Sequence, residues 1–153
     1  MFKLEKEMRP PVRAWLEGQG YVAKQESYLP NVGIPDFLGC IEIHPRFAAV
    51  FRFVAVEMKL NLFGQALWQA KGYRHYCHFT YLAFPSARAR QIVSMPTWVA
   101  DLHTEGVGLV SVTRLECVTL IPAAFNVEPA CFDLYARFKP LLKKQREQRW
   151  DEG

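Results

Sequence analysis

Val54-Ala55-Val56-Glu57-Met58-Lys59-Leu60 closes an apolar run on an acid and a base two positions apart. Upstream, Gly33-Ile34-Pro35-Asp36-Phe37-Leu38 opens a second apolar run on an acid. Side chains alternate faces along a strand, so Glu57 and Lys59 project from one side. The spacing predicts strands over Ile34–Ile43 and Val50–Leu60, joined by a turn at His44-Pro45-Arg46. If they form an antiparallel hairpin in which Ile43 pairs with Val50, the register carries Asp36 opposite Glu57. Directly opposed residues have Cβ atoms about 4.5–5.5 Å apart. Two carboxylates and an ammonium then share one small patch.

Such a patch is costly inside a fold, because Asp, Glu and Lys are seldom buried unless paired or metal-bound. Two close carboxylates repel unless a proton or a cation sits between them. A hard divalent cation such as Mg²⁺ meets that need with oxygen ligands and retained waters. A neighbouring lysine can orient a phosphate or an attacking water, and a bound cation lowers the water's pKa. The combination suits phosphodiester hydrolysis. A solvated hairpin edge with an ordinary Glu–Lys surface pair is the plain alternative.

Outward from this pair, Leu4, Met8, Val12, Trp15 and Leu16 follow helical spacing. Pro10 and Pro11 fit best in a first turn, which predicts a helix from about Met8 to Glu17, stopped by Gly18 and Gly20. A first strand is expected over Tyr21–Leu29. Helix-forming composition covers Phe63–His78, and Phe79–Phe84 is a short apolar strand closed by Pro85. Ala87–Glu105 predicts a helix interrupted or restarted at Pro96. Leu109–Val112 and Leu115–Ile121 are β-rich, and a last helix spans about Phe132–Arg149. The order α-β-β-β-α-β followed by a tail predicts an α/β fold around a mixed sheet. Residues 1–131 read as one domain, and 132–153 as a basic C-terminal helix or tail.

With 153 residues, half of them hydrophobic, the chain can bury a real core and is not a disordered segment. No apolar run is long enough for a membrane span, and the N-terminus lacks the apolar stretch of a secretory signal. Cys40, Cys77, Cys117 and Cys131 are scattered without a C-x-x-C pair, as expected for reduced thiols of a cytoplasmic protein. The net charge of +4 permits an anionic partner such as nucleic acid without demonstrating one.

The constellation resembles the PD-(D/E)XK nuclease superfamily over about residues 4–85. It comprises a helix, the strand Tyr21–Leu29, Gly33-Ile34-Pro35-Asp36, the strand ending Glu57-Met58-Lys59, a helix bearing Gln69, and the strand containing Tyr81-Leu82-Ala83-Phe84. The resemblance implies a restriction-endonuclease-like fold with an α-β-β-β-α-β core. It implies that Asp36 and Glu57 ligate Mg²⁺ or Mn²⁺, helped by the Met58 backbone carbonyl, and that Lys59 is the catalytic lysine. Gln69-Ala70-Lys71-Gly72-Tyr73 is similar to the Gln-x-x-x-Tyr motif of the RecB-like branch, and residues i and i+4 share a helix face. The family often adds an acid from the first helix: Glu7 is the best positional match, with Glu17 or Glu26 as substitutes.

The expectation is therefore a metal-dependent nuclease acting on nucleic acid, DNA above RNA. The alternative is a catalytically inactive nuclease-like DNA-binding or structural subunit. No helicase, ATP-binding or target-recognition domain accompanies the motif, which raises the expectation of a homodimer or of partner subunits. His75, Cys77 and His78 invite a zinc reading, but a structural site needs four ligands at recognisable spacing and no second pair exists. Burial at a helix end explains them better. Arg88 and Arg90, and the basic residues of the last helix, are candidates for backbone phosphate contacts.

Overall fold

The strands β2 (Phe37–Ile43) and β3 (Val50–Met58) pair antiparallel, from Ile43 opposite Val50 to Phe37 opposite Val56. This is the register expected from the sequence. The computed structural model describes residues 1–44 and 48–152. Pro45 and Arg46 of the expected turn lie outside the described residues. The remaining strands are β1 (Val22–Lys24), β4 (Phe79–Pro85), β5 (Gly108–Val112) and β6 (Cys117–Ile121), and the sheet runs in chain order from β1 to β6. The β3–β4 and β4–β5 pairs are parallel and the others antiparallel. The protein is thus an α/β fold with a mixed sheet flanked by helices, as expected.

Helix α1 (Arg9–Gly18) carries its two prolines in the first turn and follows a 3-10 turn, Glu5–Met8. Missing N–H groups cost nothing at that position. Met8, Val12 and Leu16 bury against Val54, Val56 and Met58 on one face of the sheet. Phe53 and Ala55 point to the opposite face. That face is covered by α2 (Phe63–Arg74), α3 (Ser86–Val93), α4 (Pro96–Glu105) and α5 (Leu134–Glu152). Strand alternation sends Glu57 and Lys59 to the α2 side.

Strands β2 and β6 begin two or three residues later than expected, and three elements differ more. The first strand is only Val22–Lys24, because Glu26 adopts φ 60°, outside the extended region. Helix α2 ends at Arg74 rather than His78: the Asn126 side chain donates to the Arg74 carbonyl at 2.9 Å, and the His78 N–H donates to the Phe53 carbonyl at 2.9 Å. Helix α5 is no loose extension, since Leu134, Phe138 and Leu142 are fully buried with Leu38, Cys40 and Phe53. Its basic residues ride on a helix whose apolar stripe belongs to the core.

Candidate active site

Asp36 owes its position to the turn that precedes it. Leu29 and Gly33 form a bridge in which each N–H donates to the other's carbonyl, at 2.7 and 3.1 Å. Gly33 sits at φ +113°, a conformation that side-chain-bearing residues rarely adopt. The turn lies close to α2: a Cβ on Gly72 would stand 2.9 Å from the Val32 side chain. Ile34 and Pro35 then lead directly into β2, with Asp36 half-buried at its entrance.

Continuing the β2–β3 register places Asp36 opposite Glu57. Asp36 Oδ2 accepts the Met58 N–H at 2.7 Å, which anchors this carboxylate to the backbone of β3. Met58 thus holds Asp36 through its N–H, while its side chain is buried on the α1 face. Glu57 is 4% exposed, and its Oε2 is buried without a hydrogen-bond partner among the described residues. Burial and then the negative charge of Asp36 push the Glu57 pKa up to about 8; the Tyr73 hydroxyl and the Lys59 ammonium pull it back.

Tyr73, four residues after Gln69 on α2, is fully buried. Its hydroxyl donates to the Ile34 carbonyl at 3.2 Å and lies beside Glu57. Burial, followed by the Glu57 charge, holds that phenol well above its usual range, so it stays a neutral donor. Gln69 is half-buried, and its Oε1 is a second buried oxygen with no partner. Lys59 follows the end of β3, is partly exposed, and donates its N–H to the Ala83 carbonyl at 3.1 Å. Asp36, Glu57, Lys59 and Tyr73 thus meet at one end of the sheet.

Glu7 does not join them. It belongs to the face covered by Met8, opposite the one to which Glu57 projects. Its Oε2 accepts the Lys3 and Leu4 N–H groups at 2.6 and 2.7 Å, and its Oε1 meets the Arg114 guanidinium at 3.4 Å. Those amide bonds hold its pKa low and its charge in place as a cap. Glu17 pairs with Arg13 at 3.6 Å on α1, and Glu26 is exposed in the turn after β1. Among the described residues, no three His, Cys, Asp or Glu side chains gather as a metal-binding group.

Of the residues that invite a zinc reading, Cys77 and His78 are buried just beyond the end of α2. His78 Nδ1 accepts the Phe53 N–H at 2.9 Å, and burial, then Arg52, lowers its pKa to about 4. Cys77 is fully buried, and burial pushes its thiol up. Both are core groups.

The structural feature that sequence reasoning passed over is a cleft of about 640 Å³ beside the Lys59 segment, with Asn61, Leu62, Phe63, Gln65, Arg88 and Trp98 in its walls. Its only advance signal was Arg88, placed just beyond Pro85.

Two adjacent carboxylates, one with an uncompensated buried oxygen, are donors of the kind a hard divalent cation takes. No family model matches the chain, and no curated protein matches it. A solved protein of unknown function from Silicibacter pomeroyi has a similar fold, with a TM-score of 0.59, 18% identity, and coverage of 99% of this chain and 97% of that one. No helix among the described residues is long and apolar enough to cross a membrane.

Proposed function

We propose that the protein is a Mg²⁺- or Mn²⁺-dependent nuclease that hydrolyses phosphodiester bonds, DNA above RNA, and that it belongs to the PD-(D/E)XK superfamily. The observation that carries this reading is Glu57 Oε2, a buried carboxylate oxygen with no protein partner, set against a second carboxylate. A protein that holds two acids together without a cation leaves an unsatisfied charge or a strongly held proton. The free thiols of Cys40, Cys77, Cys117 and Cys131 support a cytoplasmic setting.

Asp36 and Glu57 are the ligands in this account. When bound, the cation lowers the pKa of a coordinated water and offsets phosphoryl charge. Asp36 is held rigid by the Met58 N–H, so its oxygen is pre-positioned. Tyr73, whose hydroxyl donates to the Ile34 carbonyl, sets a neutral group beside Glu57. Lys59 presents its ammonium on the same side, to hold a water or a phosphate oxygen. Gln69 offers its amide oxygen, on the helix face it shares with Tyr73, as a further polar contact.

With Glu7 committed elsewhere only two protein carboxylates stand at the site, which motivates a second reading: a catalytically inactive nuclease-like DNA-binding or structural subunit of a larger complex. Calorimetric titration with Mg²⁺, Mn²⁺ and Ca²⁺, followed by cleavage assays on DNA and RNA, separates the two. A nuclease binds all three ions and turns over with the first two, since Ca²⁺ coordinates too loosely to position the nucleophile. Binding without turnover supports the inactive subunit, and no cation binding sinks the metal site.

A further inference from the structure

The cleft beside Lys59 lies where two parallel strands end together. Lys59-Leu60-Asn61 leaves β3 and Ser86-Ala87-Arg88 leaves β4 at the same edge of the sheet. Open α/β sheets bind ligands at such carboxyl-terminal edges. Arg88 is half-buried and restrained three times over. Its Nε donates to the Asn61 carbonyl at 3.0 Å, and its Nη1 donates to Gln91 Oε1 at 3.1 Å. Its guanidinium lies 5.0 Å from the centre of the Trp98 ring, and that ring stacks on Phe63 at 4.8 Å.

All of these partners are neutral. Among the described residues no carboxylate lies within 4.0 Å of Arg88, so its charge is fixed in direction but not cancelled, and its Nη2 makes no protein hydrogen bond. A tryptophan and a backbone carbonyl hold it in the wall of a cleft of about 640 Å³. The cleft adjoins the segment that carries Lys59, two residues before the carbonyl that Arg88 holds.

We infer that Arg88 is a phosphate-binding residue, receiving the backbone of a nucleic-acid strand next to the phosphate at Asp36, Glu57 and Lys59. The inference rests on the nuclease reading for its ligand, and it names the strand's path away from the carboxylates. Arginine suits this task because its planar fork matches phosphate geometry. Trp98 is a positioning residue: it supports the guanidinium and need not touch the strand.

The test is fluorescence anisotropy of labelled single- and double-stranded oligonucleotides, with Ca²⁺ in place of Mg²⁺, across a salt series. Arg88→Ala should weaken binding about tenfold or more, irrespective of sequence, since charge-assisted hydrogen bonds are among the strong ones. The slope of log affinity against log salt should shrink by about 0.7–0.9, the loss of one phosphate contact. Arg88→Lys should keep the slope while losing several-fold in affinity. Arg88→Gln, neutral yet still able to donate to Asn61, should behave as Arg88→Ala does, and it carries the test if the alanine variant folds poorly. Trp98→Leu should weaken binding with the slope retained.

An unchanged slope in both Arg88→Ala and Arg88→Gln overturns the inference, whatever happens to cleavage. Wild-type protein that binds no oligonucleotide overturns it together with the nuclease reading. Binding that depends on Arg88, in a protein that never cleaves, upholds the inference and removes the nuclease reading alone.

Discussion

Asp36 stands across the β2–β3 pairing from Glu57 and accepts the N–H of the next residue, Met58, at 2.7 Å. One carboxylate is thereby satisfied by backbone, and the other is left buried with an unpartnered oxygen. This asymmetry explains why burial and charge fall on Glu57, and it shapes how the metal-free protein should respond to pH.

In the unfolded chain Glu57 titrates near 4.5, and in the folded, metal-free protein near 8. Between those values the folded state keeps a proton that the unfolded state has released, so stability falls as pH rises through this window. Below it both states are protonated and the penalty vanishes. Thermal melts in EDTA should therefore show a lower Tm at pH 8 than at pH 5, with other groups adding their own slopes. Glu57→Gln, which carries no charge, should flatten that difference and melt higher at pH 8. Each kcal/mol relieved is worth about 2–4 °C in a protein of this size. Parallel profiles for the two proteins would mean that Glu57 is not held in the way described.

Lys59 distinguishes a nuclease from a protein that only binds cations. Lys59→Met keeps the unbranched stem and removes the ammonium. Turnover should fall about 10²–10³-fold, the usual cost of a positioned electrostatic group, while cation affinity and Tm stay near wild type. Arginine should rescue poorly, because a planar fork does not replace a compact ammonium. Unchanged turnover per folded molecule would leave Lys59 without a part in the reaction.

Gly72 tests the link between α2 and the turn that delivers Asp36. A methyl group there meets Val32 at 2.9 Å, which forces the turn to move. Alanine gains about 1 kcal/mol in helix propensity, and overpacking costs about 1–3 kcal/mol, so Gly72→Ala should lower Tm by a few degrees. Cation affinity should drop with it, because Val32 lies four residues before Asp36. A rise in Tm would show that the turn yields freely and does not hold Asp36 in place.

The hairpin was legible because apolar runs and interrupting charges fix register through the two-residue period: Ile43 and Val50 mark its ends, and Asp36 and Glu57 follow. Pro10, Pro11 and Pro96 mark helix starts, where a ring without an N–H forfeits no helical hydrogen bond. Glu7 matches the family position by its place along the chain, which says nothing about the face of the sheet on which it lands. Only the packed structure shows that Met8 draws it to the α1 side and that Lys3, Leu4 and Arg114 occupy its oxygens. Glu26 ends the first strand early through a backbone angle that side-chain hydrophobicity does not encode. The apolar stripe Leu134, Phe138 and Leu142 was outweighed by the charges between its members. Trp98 gains its role from Arg88, a partner ten residues away across two helices.

Cleavage of labelled single- and double-stranded DNA and RNA by wild type, Asp36→Asn and Glu57→Gln, in Mg²⁺, in Mn²⁺ and in EDTA, tests the central claim most directly. The account predicts cleavage by wild type in Mg²⁺ or Mn²⁺, none in EDTA, and losses of at least about 10²-fold in both variants, with their folds intact by circular dichroism. Full cleavage in EDTA, or cleavage by both variants at the wild-type rate, would contradict it.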